Sequence, residues 1–128
     1  MRYICLAYEE EEKLNALSKS EWRLLRDETL QYLEEKKKSG HILAAEPLQS
    51  AHKAVTVRVR SGLVSTTDGP FAETKEQLGG FFLVEARTLN EAIAIASGWP
   101  SARFGSIEVR PLEIELREDG RYRRPASD

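Results

Sequence analysis

Asp68-Gly69-Pro70-Phe71-Ala72-Glu73-Thr74-Lys75-Glu76 breaks a chain that is otherwise patterned as strands and helices. Turn residues open the run, one aromatic sits inside it, and Asp68, Glu73, Lys75 and Glu76 charge it. No core requires such a segment, and loops of this kind are where sites tend to lie. Just upstream, Ala54 to Arg60 alternates strictly: Val55, Val57 and Val59 face one way, and Thr56, Arg58 and Arg60 the other. Ser61-Gly62 suits a two-residue hairpin turn, because glycine supplies positive φ, and Leu63 to Thr67 returns as the partner strand. The reading of the whole fold turns on treating this hairpin and the charged run as one insertion.

The rest of the chain is then regular. Tyr3 to Tyr8 is short and apolar, a strand buried on both faces. Glu9 to Glu12 reads as a solvated loop. Ser18 and Glu21 form a capping box, and Trp22, Leu25, Thr29, Tyr32 and Leu33 mark the inward face of the helix it opens. Lysines 36 to 38 suit that helix's C-terminus, and Gly40 closes it. Ile42 to Leu48 is a short strand. Gly79-Gly80 ends the charged loop, and Phe81 to Ala86 is the next strand. Thr88 and Glu91 form a second capping box, with Leu89, Ala92, Ile93 and Ala96 expected inward and Gly98-Trp99-Pro100 as the stop. Ser106 to Leu112 is the last strand, with Ile107 and Val109 on one face. With the hairpin set aside, the order is βαββαβ, the ferredoxin-like pattern, an α+β class. The inserted hairpin is expected to extend its sheet. Helices cover one face of an antiparallel sheet in this pattern, and no segment remains for the other, so a second copy of the chain is the economical cover. The domain is expected over 1–114, and 115–128 as a polar tail that frays.

Composition bounds function. The 128 residues suffice for one domain, and 41% hydrophobic with 31% charged residues is an ordinary globular balance. A net charge of −2 argues against nucleic acid as a partner, and no apolar run approaches a membrane span. The lone Cys5 forms no internal disulfide, and a cytoplasmic location is the default. No metal spacing, nucleophile elbow or phosphate loop is present in the sequence, so neither metal nor cofactor is expected.

Candidate chemistry is local and open to two readings. Asp68 is either a base or the cap of a Gly-Pro turn, and Glu73, Lys75 and Glu76 either an acid–base cluster or a solvated loop. His41 is a proton shuttle or a helix-end cap. Arg103 holds an anionic ligand or pairs with a neighbouring glutamate. Phe71, an aromatic within a polar loop, calls for an apolar partner from a ligand or a second subunit. Glu46 is a secondary polar contact. The corresponding functions are a homodimeric small-molecule-binding or accessory domain, and a cofactor-free lyase or isomerase of a small acidic or aromatic compound.

The run Asp68 to Glu76, with Gly79-Gly80, Glu46-Pro47-Leu48 and Pro100 to Pro111, resembles the DGPF branch of the YCII-related family over about residues 1–112. The resemblance implies a dimeric α+β barrel of two ferredoxin-like protomers packed sheet to sheet. It implies kinship with small lyases and dehalogenases of aromatic breakdown, and for some members a link to extracytoplasmic-function sigma factors. Better-known members carry a His on the first helix and an Asp near the end of the second. Those positions align here with Thr29 and, roughly, Trp99.

Overall fold

The computed structural model describes residues 1–116, 118 and 120–122. Its elements run β1 (Arg2–Glu9), α1 (Glu11–Asn15), α2 (Lys19–Lys38), β2 (Ile42–Pro47), β3 (Val55–Arg60), β4 (Leu63–Asp68), β5 (Gln77–Glu85), α3 (Leu89–Ser97) and β6 (Gly105–Pro111), with 3₁₀ turns at Ala51–Lys53 and Pro100–Phe104. Strands pair antiparallel in the order β2-β5-β1-β6, the ferredoxin-like arrangement the βαββαβ pattern predicts.

Strand alternation sorts the sheet into two faces. On β1, Tyr3, Cys5 and Ala7 are buried beneath the helices, and their partners Val84, Phe82 and Gly80 share that face. These residues join Ile42, Ala86, Ala92, Ile95 and Ala96 in the core. Phe82 stacks on Trp99 at 4.2 Å between ring centroids, and Tyr32 meets Trp99 edge-on at 6.2 Å. The Tyr32 hydroxyl donates to the Ile95 carbonyl at 2.6 Å, which ties α2 to α3. Burial pushes the Cys5 thiol up to about 11, so it is a core residue and not a nucleophile. On the opposite face, the cross-strand pairs Ile4–Leu83 and Leu6–Phe81 form a half-buried apolar strip, flanked by Glu108 and Arg110 of β6.

The capping box at α2 is complete. Ser18 Oγ accepts from the Glu21 N–H at 3.1 Å, and Glu21 Oε1 accepts from the Ser18 N–H at 2.9 Å. Ser18→Ala should therefore lower stability by about 1 kcal/mol. Urea unfolding monitored by circular dichroism checks this; a loss within error would show that α2 is held by packing alone.

Several expectations are corrected. The Glu9–Glu12 stretch is no solvated loop: Glu9 completes β1, Glu10 is only 9% exposed, and Glu11 opens α1. Gly79 and Gly80 lie inside β5 rather than before it, because Gln77 and Leu78 already pair with Glu9 and Tyr8. At α3, Ile95 is buried while Leu89 and Ile93 are exposed, since the inward face centres on Ala92, Ile95 and Ala96. Its Thr88 caps the Glu91 N–H, but the Glu91 carboxylate bonds Arg87 instead of closing a box. Trp22 is 47% exposed, whereas Leu25 of the same helix face is buried and Thr29, Tyr32 and Leu33 are half-buried.

The hairpin forms as read, with Ser61 and Gly62 both at positive φ in the turn. It does not extend the sheet. It stands as a separate two-stranded ribbon, and Val57 on its valine face is 60% exposed. Among the described residues, no helix is long and apolar enough to cross a membrane. Of the polar tail, residues 117, 119 and 123–128 lie outside the described residues.

Candidate functional site

A row of small residues hollows the helix-facing side of the sheet. Pro47, Gly80 and Ala7 are register partners across β2, β5 and β1, and Ala45 lies beside Phe82 one step further along. Side chains this short leave space between the sheet and α2. The result is a cavity of about 340 Å³ between α2 and the sheet. Leu25, Leu30, Leu33, Phe82 and Trp99 supply apolar wall, and Glu9, Arg26 and Glu46 are its charged lining residues. Thr29 also lines it, but its hydroxyl donates back to the Leu25 carbonyl at 2.8 Å. Few polar groups in an apolar hollow is the usual make-up of a small-molecule site.

The cavity adjoins a wider groove of about 980 Å³. Glu9, Leu14, Trp22, Pro47 and Gly79 line both. Beyond them the groove runs between the Glu9–Glu12 turn, the start of α2, the Leu48–His52 segment and the loop around Glu73–Lys75.

Two of the acidic groups at this junction, Glu10 and Glu11, are engaged. Glu10 pairs with Lys13 at 3.2 Å and with Lys75 at 3.3 Å. Burial works to raise the Glu10 pKa, but hydrogen bonds and charge from the two lysines outweigh it and hold the carboxyl below its ordinary value. Lys75 thereby pins the charged loop to the entry of α1. Glu11 accepts from the Ala51 N–H at 3.0 Å and from the Ser50 hydroxyl at 3.1 Å. Glu9 differs. It has no ion pair among the described residues, and its carboxyl is held above the ordinary glutamate range, by burial first and by the charge of Glu11 second.

The sign of that shift yields a stability prediction. A carboxyl whose folded pKa is raised favours the fold while protonated. That contribution is present below the unfolded value and is lost as pH rises through the folded one. Glu9→Gln should therefore raise the melting temperature near pH 8 and change it little near pH 4. Calorimetry at the two pH values decides; a fall at pH 8 would mean that the Glu9 charge is compensated.

The structure distributes the sequence candidates unevenly. Glu46 lines the cavity, and Glu73 and Lys75 line the groove. Asp68 ends β4, exposed and outside both, and the turn that follows is held by the Gly69 N–H donating to the Ala54 carbonyl at 2.7 Å. Thr56 adds a bond to the Gly69 carbonyl at 3.0 Å. Phe71 is 83% exposed. His41 sits between Ser39 and Glu91, and Arg103 pairs with Glu28 at 3.0 Å on the surface. Among the described residues, no three His, Cys, Asp or Glu side chains group to hold a metal. Glu9 escaped sequence reasoning, although a signal existed: the buried series Tyr3, Cys5, Ala7 continues by strand parity to Glu9.

A family model for the YCII-related domain matches residues 1–114. A protein of Rhizobium meliloti (strain 1021), named only as uncharacterized, is 39% identical over 120 residues, covering 89% of this chain and 94% of its own. The fold is similar to that of the 5-chloro-2-hydroxyhydroquinone dehydrochlorinase of Burkholderia phenoliruptrix AC1100, solved in complex with 2,5-dihydroxybenzoquinone. That match has a TM-score of 0.54 at 17% identity, over 88% of this chain and 94% of the other. Thr29 and Trp99, the positions aligned above with the family's His and Asp, both line the cavity.

Proposed function

The chain belongs to the YCII-related family, and on that premise we propose that it is a small-molecule-binding domain that works as a homodimer and takes a small planar ring compound beneath α2. The cavity carries this reading. Its apolar walls and stacked Phe82–Trp99 pair suit a ring system, and its volume lies within the range of ligand sites. The ligand of the structural neighbour is of the same size class. Glu9, Glu10, Glu11, Glu12 and Glu73 outnumber Lys19 and Lys75 along the adjoining groove, which favours neutral aromatic compounds over acidic ones.

The second copy is inferred from the apolar strip Ile4, Leu6, Phe81 and Leu83, which one chain leaves half-covered. An isologous two-fold contact buries such a face. The domain is taken to end at residue 114, with Glu73 and Lys75 contributing at the groove and Glu46 at the cavity rim.

The test is a panel of neutral aromatic, acidic aromatic and aliphatic compounds, read by quenching of Trp22 and Trp99, both of which line the cavity. Neutral ring compounds should quench saturably and raise the melting temperature. Ala45→Phe, which places a ring in the hollow, should weaken binding at least about tenfold while the fold is kept. Equal binding by Ala45→Phe would remove the cavity as the site. Sedimentation equilibrium should give twice the 14.5 kDa chain mass; a monomer at micromolar concentration would remove the dimer.

A further inference from the structure

Cavity and groove meet at Glu9, and the fold sets this carboxyl apart from its neighbours Glu10 and Glu11. Strand parity turns Glu9 toward the helix-covered face, after Tyr3, Cys5 and Ala7. Lys13 and Lys75 go to Glu10, and the Ser50–Ala51 donors go to Glu11, so neither set reaches Glu9. Across the sheet, β1 and β5 slip register between Ala7 and Tyr8, beside Gly79. A Cβ on Gly79 would lie 2.1 Å from Glu9 Oε1. The glycine leaves the space in which the carboxyl rests at the cavity mouth.

We propose that Glu9 is the proton-transfer group for a cofactor-free keto–enol isomerisation of a neutral ring ketone bound in the cavity. This rests on the cavity being the ligand site. A carboxylate with no nucleophile beside it can take a proton from carbon and return it to another atom of the same molecule. Glu9 Oε removes a proton from the carbon next to the carbonyl. The C–H electron pair becomes the enolate C=C, and the carbonyl π pair moves to oxygen. The Glu9 carboxylic acid then returns the proton to that oxygen. One proton has moved, and no oxidant, reductant or second reactant is consumed. Partial burial strengthens the carboxylate as a base. Arg26, the cation among the described lining residues of the cavity and itself paired with Asp27 at 3.5 Å, adds some favourable charge for the developing oxyanion.

The probe is 2-indanone, a neutral ring-fused ketone, dissolved in D₂O. Exchange of its methylene hydrogens is followed by proton NMR, and binding by tryptophan quenching. The wild type should exchange at least about tenfold faster than buffer. Glu9→Gln should return the rate to that of buffer while quenching persists. Gly79→Ala, whose added methyl meets the Glu9 side chain first and displaces the carboxyl from its place, should slow exchange at least about fivefold with the circular dichroism spectrum unchanged. A wild-type rate no faster than that of Glu9→Gln overturns the proposal, and quenching then identifies the failed premise. With saturable quenching by 2-indanone only the role of Glu9 falls; without it the cavity reading falls for this ligand class as well. An unaltered rate in Gly79→Ala overturns the positioning of Glu9 by that glycine.

Discussion

Phe82→Ala should lower folding stability by about 4 kcal/mol, the middle of the range for a buried aromatic. Phe82 is 0% exposed and sits in β5 between β1 and β2, stacked on Trp99. Two losses add. The ring's transfer out of water is forfeited, and a void opens that its neighbours cannot close. The second term is large here because Phe82 also borders the cavity, so one side of its surroundings is already unfilled. The new space would merge with the old. Urea unfolding followed by far-ultraviolet circular dichroism measures the change. A loss below about 1.5 kcal/mol would show that Trp99 swings inward to refill the site.

Gly105→Ala should cost about 3 kcal/mol, or roughly 10 °C in Tm for a chain of this size. A Cβ at this position would lie 1.9 Å from the Tyr8 carbonyl oxygen and 3.0 Å from the Glu9 Cα. Both are main-chain atoms, so β6 must part from β1 at the pair Glu9–Gly105. The contrast with Gly79 is informative. There the three atoms nearest the added methyl all belong to the flexible Glu9 side chain, so the fold should survive while the carboxyl moves. Thermal melts of the two variants side by side test the distinction. Equal losses would mean that Glu9 cannot yield.

The elements with local causes were legible in the sequence. The Ser18 capping box, the Gly40 stop and the Ser61-Gly62 turn each act within a few residues, and each forms as read. Their order then yields the sheet topology. What escaped depends on distance along the chain. Glu10 looked solvated because one of the two cations that neutralise it, Lys75, belongs to a segment far downstream, and nearby Lys13 alone gives no sign of burial. The hairpin's valines looked like a buried face because alternation signals a surface that could be covered without saying by what. The site escaped for a further reason. Asp68, Phe71 and Lys75 draw attention by charge and aromaticity, whereas the cavity arises where Pro47, Gly80 and Ala7 are small and come into register. Missing volume leaves no motif. Glu9 was within reach, since extending the strand by one residue past Tyr8 places it on the buried face.

The separate β3–β4 ribbon divides the molecule by cooperativity. A two-stranded hairpin without a third strand is marginal in water, and among the described residues the ribbon pairs only with itself. Its amides should therefore open and exchange with solvent as an independent local unit, at a small fraction of the free energy that governs β1 and β5. Strong hydrogen-exchange protection at Val57 or Val59 would have to come from a second chain laid over the valine face. The ribbon thus serves as a built-in gauge of association, silent in the monomer and slow to exchange once covered.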